Sequence, residues 1–377
     1  MQFQSKTQIQ DYAVELSETY NRIIFEIATG GGKSLAAIRI IERVGGNWCI
    51  IIAEINHELN WRSEFILHGK EHLLQNVTFK CYASIHKDIK DEHYILDEVH
   101  RVYSDSRLES LKKIIHIQHD KYLLGLSATL TRTQKDILKT IIGEHYNFKI
   151  TISQAVQWGL LPKPSIYLVP VQLDNTIKNH TFSFNKDKVI KCTEKEKYDF
   201  ISGRIDYFRK KYFDTRIDFD KIKWLSAGNT RKKFLSECKT KFAKILIEKL
   251  KNKRFICFTG SIKQSEELSK GLSIHSGINK KSREKLITQF NSGEIDYIFT
   301  TNMLREGMNL HNIEAGILVQ LDNQEKNMIQ QLGRTMRSLI PEFYVLYVED
   351  TQDFTYLTTA TEGLNKEYVA TINLEDI

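Results

Sequence analysis

Short apolar and β-branched runs, each about one strand long, recur along this chain between stretches with helical periodicity. RIIFEI (22–27) precedes a helix expected from Lys33 to about Val44, and WCIIIA (48–53) precedes one near His57 to Leu67. VTFKCYA, HYIL and KYLLGLS continue the series. Strands that are apolar along their whole length are buried on both faces, as in a parallel sheet covered by helices. A second set begins after residue 250 with RFICFT, IDYIFTT, AGILVQL and FYVLYVE. The expected fold class is α/β with two parallel-sheet domains, since 377 residues exceed one ordinary core.

Between the two sets lies a segment of different character. Residues 172–240 hold 17 Lys/Arg against 10 Asp/Glu, which accounts for the whole formal charge of +7. Phe182, Phe184, Tyr198, Phe200, Tyr207, Phe208, Tyr212, Phe213, Phe219, Trp224 and Phe234 are interleaved with that charge. Two compatible readings follow: a surface that holds a polyanion and stacks its bases, or a small helical subdomain with an aromatic core and solvated lysines.

The polar N-terminus, MQFQSKTQIQDYAVEL, and the strand-sized apolar runs give no expectation of secretion or of a membrane span. Five scattered cysteines without a CxxC pair suit buried thiols in a reducing compartment, so neither disulfides nor a zinc site is expected. The expected location is cytoplasmic, in a bacterial or phage-infected cell.

IATGGGKS (27–34) follows a predicted strand and runs straight into a predicted helix. In that setting Gly30, Gly31 and Gly32 let backbone amides approach phosphate oxygens. Lys33 reaches the outer phosphates, and Ser34 can ligate magnesium. The first glycine of the usual GxxxxGK[ST] pattern is replaced by Ile27, so the octet alone also fits a glycine-rich turn. Downstream, HYILDEVH sets Asp97 and Glu98 at the C-terminal end of a strand, the sheet edge where ligands bind. Asp97 suits a magnesium site, and Glu98 suits orienting or deprotonating an attacking water. A helix-capping acidic turn is the alternative.

DEVH resembles the DExH box of superfamily 2 helicases, and further motifs of that family follow in order. SATL (127–130) resembles motif III, TTNMLREGMNL (300–310) motif V, and QQLGRTMR the QxxGRxxR of motif VI, with Gln330, Gly333, Arg334 and Arg337. TQIQDYA resembles the segment whose glutamine reads adenine, here Gln10. The resemblance covers residues 1 to about 350, less the middle segment. Motif V departs from the family in having Asn309 where an aspartate is common, and the box reads DEVH rather than DEAD.

The resemblance implies two RecA-like domains, at 1–163 and 241–350, with a linker and a small, mostly helical basic insertion at 164–240 and a tail at 351–377. ATP and Mg2+ would lie between the domains, held by Gln10, Thr29, the three glycines, Lys33, Ser34 and Asp97, with Gly307 and Gln330 opposite. Arg334 and Arg337 would stabilise charge developing on the γ-phosphate. His100, Ser127 and Thr129 would couple the ATP site to the nucleic acid, with His100 bonding to Gln331 or a neighbour. Asn56, Ser84, Thr259 and Thr300 would contact the strand's phosphates. The expected function is an ATP-dependent DNA helicase or translocase, a monomeric motor whose expected partner is single-stranded DNA or forked or branched duplex. RNA, a restriction or repair complex, and a regulatory NTPase remain as alternatives.

Overall fold

The computed structural model describes residues 2–82, 85, 93–102, 108–109, 111–112, 121–128, 130–185, 188–301, 310–321, 338–362 and 364–377, with the side chains of 56, 184, 185 and 188 outside that set. The chain divides into two compact units, one running to Lys163 and the other starting at Pro164.

In chain order the first unit contains α1 (Lys6–Thr19), β1 (Arg22–Ile27), α2 (Lys33–Val44), β2 (Trp48–Ile52), α3 (Asn56–Leu67), β3 (Val77–Cys81) and β4 (His93–Leu96). β5 (Leu123–Ser127), α4 (Arg132–Ile142), β6 (Tyr146–Ile150) and α5 (Ile152–Gln157) complete it. The strands form a six-stranded parallel sheet in the order β3-β2-β4-β5-β1-β6. Every residue of β2 and β5 is buried, which is why their sequences show no alternation. Register pairs Glu26 with Ser127, and Leu96 with Gly125. The segments after β1, β4 and β5 therefore leave the same edge of the sheet.

The second unit holds β7 (Ser165–Val171), an antiparallel hairpin of β8 (His180–Asn185) and β9 (Lys188–Cys192), and two long helices, α6 (Glu194–Thr215) and α7 (Asp218–Cys238). There follow α8 (Thr240–Lys249), β10 (Phe255–Phe258), α9 (Ile262–Ser269), β11 (Ser273–Ile274), α10 (Lys280–Ser292), β12 (Tyr297–Thr300), β13 (Ala315–Leu318), β14 (Glu342–Val348), α11 (Gln352–Thr361) and β15 (Val369–Thr371). Its seven-stranded parallel sheet has the order β11-β12-β10-β13-β14-β7-β15.

Two segments have a different place from the one the sequence suggests. Ser165–Val171, inside the expected linker, is a strand of the second sheet, paired with β14 over its whole length. The tail is also built into this unit, because β15 pairs with β7 and Asp353 of α11 is fully buried against Lys239. Both side chains of that ion pair have 0% exposure, and their 2.6 Å contact ties α11 to the start of α8.

The helical, basic character of the insertion is as expected, and its aromatics divide between a buried root and an exposed turn. At the root of the α6–α7 pair, Tyr198, Ile201, Ile205, Phe234, Leu235 and Cys238 join the core of the second unit. Toward the α6–α7 turn Tyr207, Phe213, Ile217, Phe219, Ile222 and Leu225 are exposed. Cations lie over several of these rings, with Arg216 4.9 Å from Phe213 and Lys223 5.2 Å from Phe219.

Candidate active site

The glycine-rich loop joins β1 directly to α2, and its glycines answer separate steric demands. Gly30 and Gly32 have φ of 82° and 88°, in the left-handed region that L side chains rarely adopt. Gly31 is excluded by space, since a Cβ there would stand 2.5 Å from Ile27 Cγ2. At Gly32 a Cβ would stand 2.9 Å from Gln10 Nε2, so the buried carboxamide of Gln10 lies directly against the loop. The amides of a helix's first turn have no intrahelical acceptor, and at the head of α2 they supply the anion-binding character expected of this loop.

Lys33 Nζ donates to the carbonyl of Ile27 at 2.7 Å, folding the side chain back along the loop. Burial lowers its pKa below the ordinary lysine value, against the opposing pull of the Glu98 and Asp97 carboxylates. Those two charges are felt at Lys33 because β4 and β1 are separated only by β5.

Asp97 is held from three sides. Its backbone amide donates to Ile51, its carbonyl accepts from Tyr82 Oη at 2.8 Å, and its carboxylate Oδ2 accepts from Trp61 Nε1 at 3.1 Å. His57 Nδ1 lies 3.4 Å from the same oxygen. His57 and Trp61 are four residues apart on α3 and so share a helix face. Sequence reasoning missed both. The i,i+4 spacing in NHELNW was visible, but not which carboxylate that face would meet.

Glu98 adopts a left-handed conformation at φ 48°, uncommon for a non-glycine residue. Its Oε2 lies 3.2 Å from His100 Nδ1. Burial pushes the Glu98 pKa up, but the His100 ring outweighs it, with help from Lys33, and the net effect is a carboxyl below its ordinary value. His100 Nδ1 is also 3.1 Å from Ser127 Oγ. Ser127, the first residue of SATL, is thus one neighbour of His100, alongside Glu98. Ser34 begins the first turn of α2 beside Lys33, and Thr29 precedes Gly30 in the loop.

In the second unit Thr259 and Thr300 are both buried and bond to backbone: Thr259 Oγ1 donates to Thr300 O at 3.1 Å, and Thr300 Oγ1 to Thr301 O at 2.8 Å. Both hydroxyls are thus bonded within the end of the sheet. Asn56 opens α3, with its side chain outside the described set. Ser84, Thr129, Gly307, Gln330, Gln331, Arg334 and Arg337 lie outside the described residues.

Parallel sheets of this kind, one bearing a phosphate loop and an acidic pair at the same edge, define a P-loop protein with two RecA-like domains. Residues 2–132 match the family model "Type III restriction enzyme, res subunit", and residues 238–338 match "Helicase conserved C-terminal domain". The Rad25 protein of Haloarcula marismortui is 24% identical over 369 residues, covering 88% of this chain and 51% of that protein. Rad25 of Halobacterium salinarum is 22% identical, covering 82% and 48%. The chain therefore spans about half the length of these curated relatives.

Among solved structures, a leucine-to-valine variant of S. cerevisiae Dbp5 bound to RNA and ADP BeF3 superposes with a TM-score of 0.61 at 13% identity, covering 94% of this chain and 86% of that one. The Hef helicase domain of Pyrococcus furiosus gives 0.58 at 14% identity, covering 94% and 97%. The two family models and the Rad25 relatives thus set the chain within the superfamily 2 helicase family, and the two parallel-sheet units match its pair of RecA-like domains.

Proposed function

We propose that the chain is an ATP-driven DNA helicase or translocase. The observation that carries this reading is the gathering of Lys33, Asp97 and Glu98 at one sheet edge, with His100 bridging the acidic pair to Ser127. The loop amides and Lys33 bind the triphosphate, the ammonium exchanging the Ile27 carbonyl for a phosphate oxygen. Glu98, kept ionised by His100, orients the attacking water and takes its proton. Arg334 and Arg337 of the second domain supply positive charge to the transferring phosphoryl group, so that turnover needs both domains.

The hydroxyl of Ser34 and the carboxylate of Asp97 are hard oxygen donors of the type magnesium takes, and neither Trp61 nor His57 engages Asp97 Oδ1. These residues would hold Mg2+, which neutralises phosphate charge when bound. Trp61 and His57 keep the carboxylate in place. Trp61→Phe retains an aromatic ring and removes the N–H donor, so kcat is expected to fall about tenfold with the melting temperature nearly unchanged. Steady-state ATPase assays beside thermal melts check this.

DNA is favoured as the track because the relatives aligned with most of this chain carry the name "Putative DNA 3'-5' helicase Rad25". ATP turnover with single-stranded DNA, duplex, forked DNA and RNA tests the reading, followed by strand displacement on the best activator. Stimulation by DNA is expected; a response to RNA alone would transfer the motor to the other nucleic acid, and no response to any would remove the motor reading.

The exposed rings and cations around the α6–α7 turn are proposed to grip that strand by stacking and charge. Replacing the exposed Lys210, Lys221 and Lys223 with alanine is expected to weaken binding and to flatten the logarithmic salt slope by up to about 0.7 per lysine touching phosphate. Fluorescence anisotropy over a salt series measures both quantities. An unchanged slope would take the turn off the nucleic-acid path.

A further inference from the structure

A buried acid interrupts the apolar run of β1 in domain one. Glu26 is 2% exposed and stands in β1 just before Ile27, whose carbonyl holds Lys33. Burying a carboxylate costs several kcal/mol unless partners offset it, and an apolar side chain would solve the packing alone. Glu26 instead draws in three segments. Its Oε1 accepts from the amide of Leu130 at 3.2 Å, and its Oε2 accepts from Asn147 Nδ2 at 3.4 Å. Lys135 Nζ lies 2.7 Å from Oε2, and Lys149 Nζ 3.5 Å from Oε1.

Those partners surround the segment that the proposed mechanism uses for coupling. Leu130 is three residues beyond Ser127, the residue bonded to His100. Lys135 lies in the first turn of α4 next to Gln134, which donates from Nε2 to the His100 carbonyl at 3.3 Å. One carboxylate thus fixes the far end of SATL and the helix after it to the strand that enters the phosphate loop.

We propose that Glu26 is a positioning residue that fastens Leu130 and the start of α4 to the phosphate-loop strand and so lets bound nucleic acid accelerate ATP turnover. The inference rests on the motor reading above. It separates Glu26 from the residues that touch nucleotide, because its carboxylate is committed to Leu130, Asn147 and the two lysines.

The test is ATP turnover by the full chain with and without single-stranded DNA, for wild type, Glu26→Leu, Glu26→Gln and Lys135→Gln. Glu26→Leu leaves the Leu130 amide unpaired, and DNA-stimulated kcat is expected to fall about tenfold. The KM for ATP and the DNA-free rate should stay within about twofold, because the loss is confined to the accelerated state. Glu26→Gln retains an acceptor for Leu130 and should keep most of the stimulation. Lys135→Gln, at a partly exposed position, should give an intermediate loss with KM unchanged.

Undiminished stimulation in folded Glu26→Leu would overturn the proposal. So would a parallel fall of basal and stimulated rates with raised KM, the pattern of general damage. Should Glu26→Leu not fold, Lys135→Gln decides, and wild-type stimulation there is equally fatal. Wild-type protein that answers to no nucleic acid would instead defeat the motor reading on which the inference stands.

Discussion

Lys33→Ala is expected to cut ATP turnover by about a thousandfold, the scale seen when a preorganised charge or donor is taken from a phosphoryl-transfer site. Binding should weaken as well, because the ammonium meets the nucleotide both before and during the reaction. In the free protein the substitution should be tolerated or mildly stabilising. Lys33 sits at the positive end of α2 and is held in a desolvated setting that disfavours its charge. Loss of activity together with an unchanged or raised melting temperature would mark a residue kept for chemistry at the expense of the fold. Turnover within tenfold of wild type would remove Lys33 from the phosphate site.

Glu98→Gln separates binding from hydrolysis. The amide preserves shape and the strained backbone, but it cannot accept a proton, and turnover is expected to fall by about a hundred- to ten-thousandfold. Nucleotide affinity should change little, since Lys33 and the loop amides remain. The variant should therefore retain ATP, a behaviour measurable with a fluorescent analogue beside single-turnover assays. Full hydrolysis would assign the base elsewhere. A collapse of affinity would assign Glu98 to binding instead.

The glycine-rich loop and the acidic pair were legible because each is local in itself: glycines with positive φ run directly into a lysine at a helix start, and two adjacent carboxylates end a strand further along the chain. The nine apolar runs singled out in the sequence are all strands, for the reason that a strand buried on both faces has almost no alternative. β7 escaped notice because SIYLVPV follows a proline and contains another, features that argue against a strand interior. Trp61, His57 and Glu26 act across 35 residues or more, and spacing along the chain does not reveal such meetings. Glu26 did leave a trace, since a charged side chain within RIIFEI demands partners if that run is buried. Asp353 gave less warning. At the head of a polar tail it reads as an ordinary helix-start acid, whereas its partner is 114 positions away.

That last pairing bears on how the second lobe can be handled as an object in its own right. A fragment ending near residue 350 would strand the ammonium of Lys239 in an apolar interior and uncover the flank of β7 now occupied by β15. Orphaning one member of such a pair costs about 3–5 kcal/mol, a large share of the stability of a domain this size. The segment beyond β14 is thus a keystone of that lobe, joining a buried charge on one side to a sheet edge on the other.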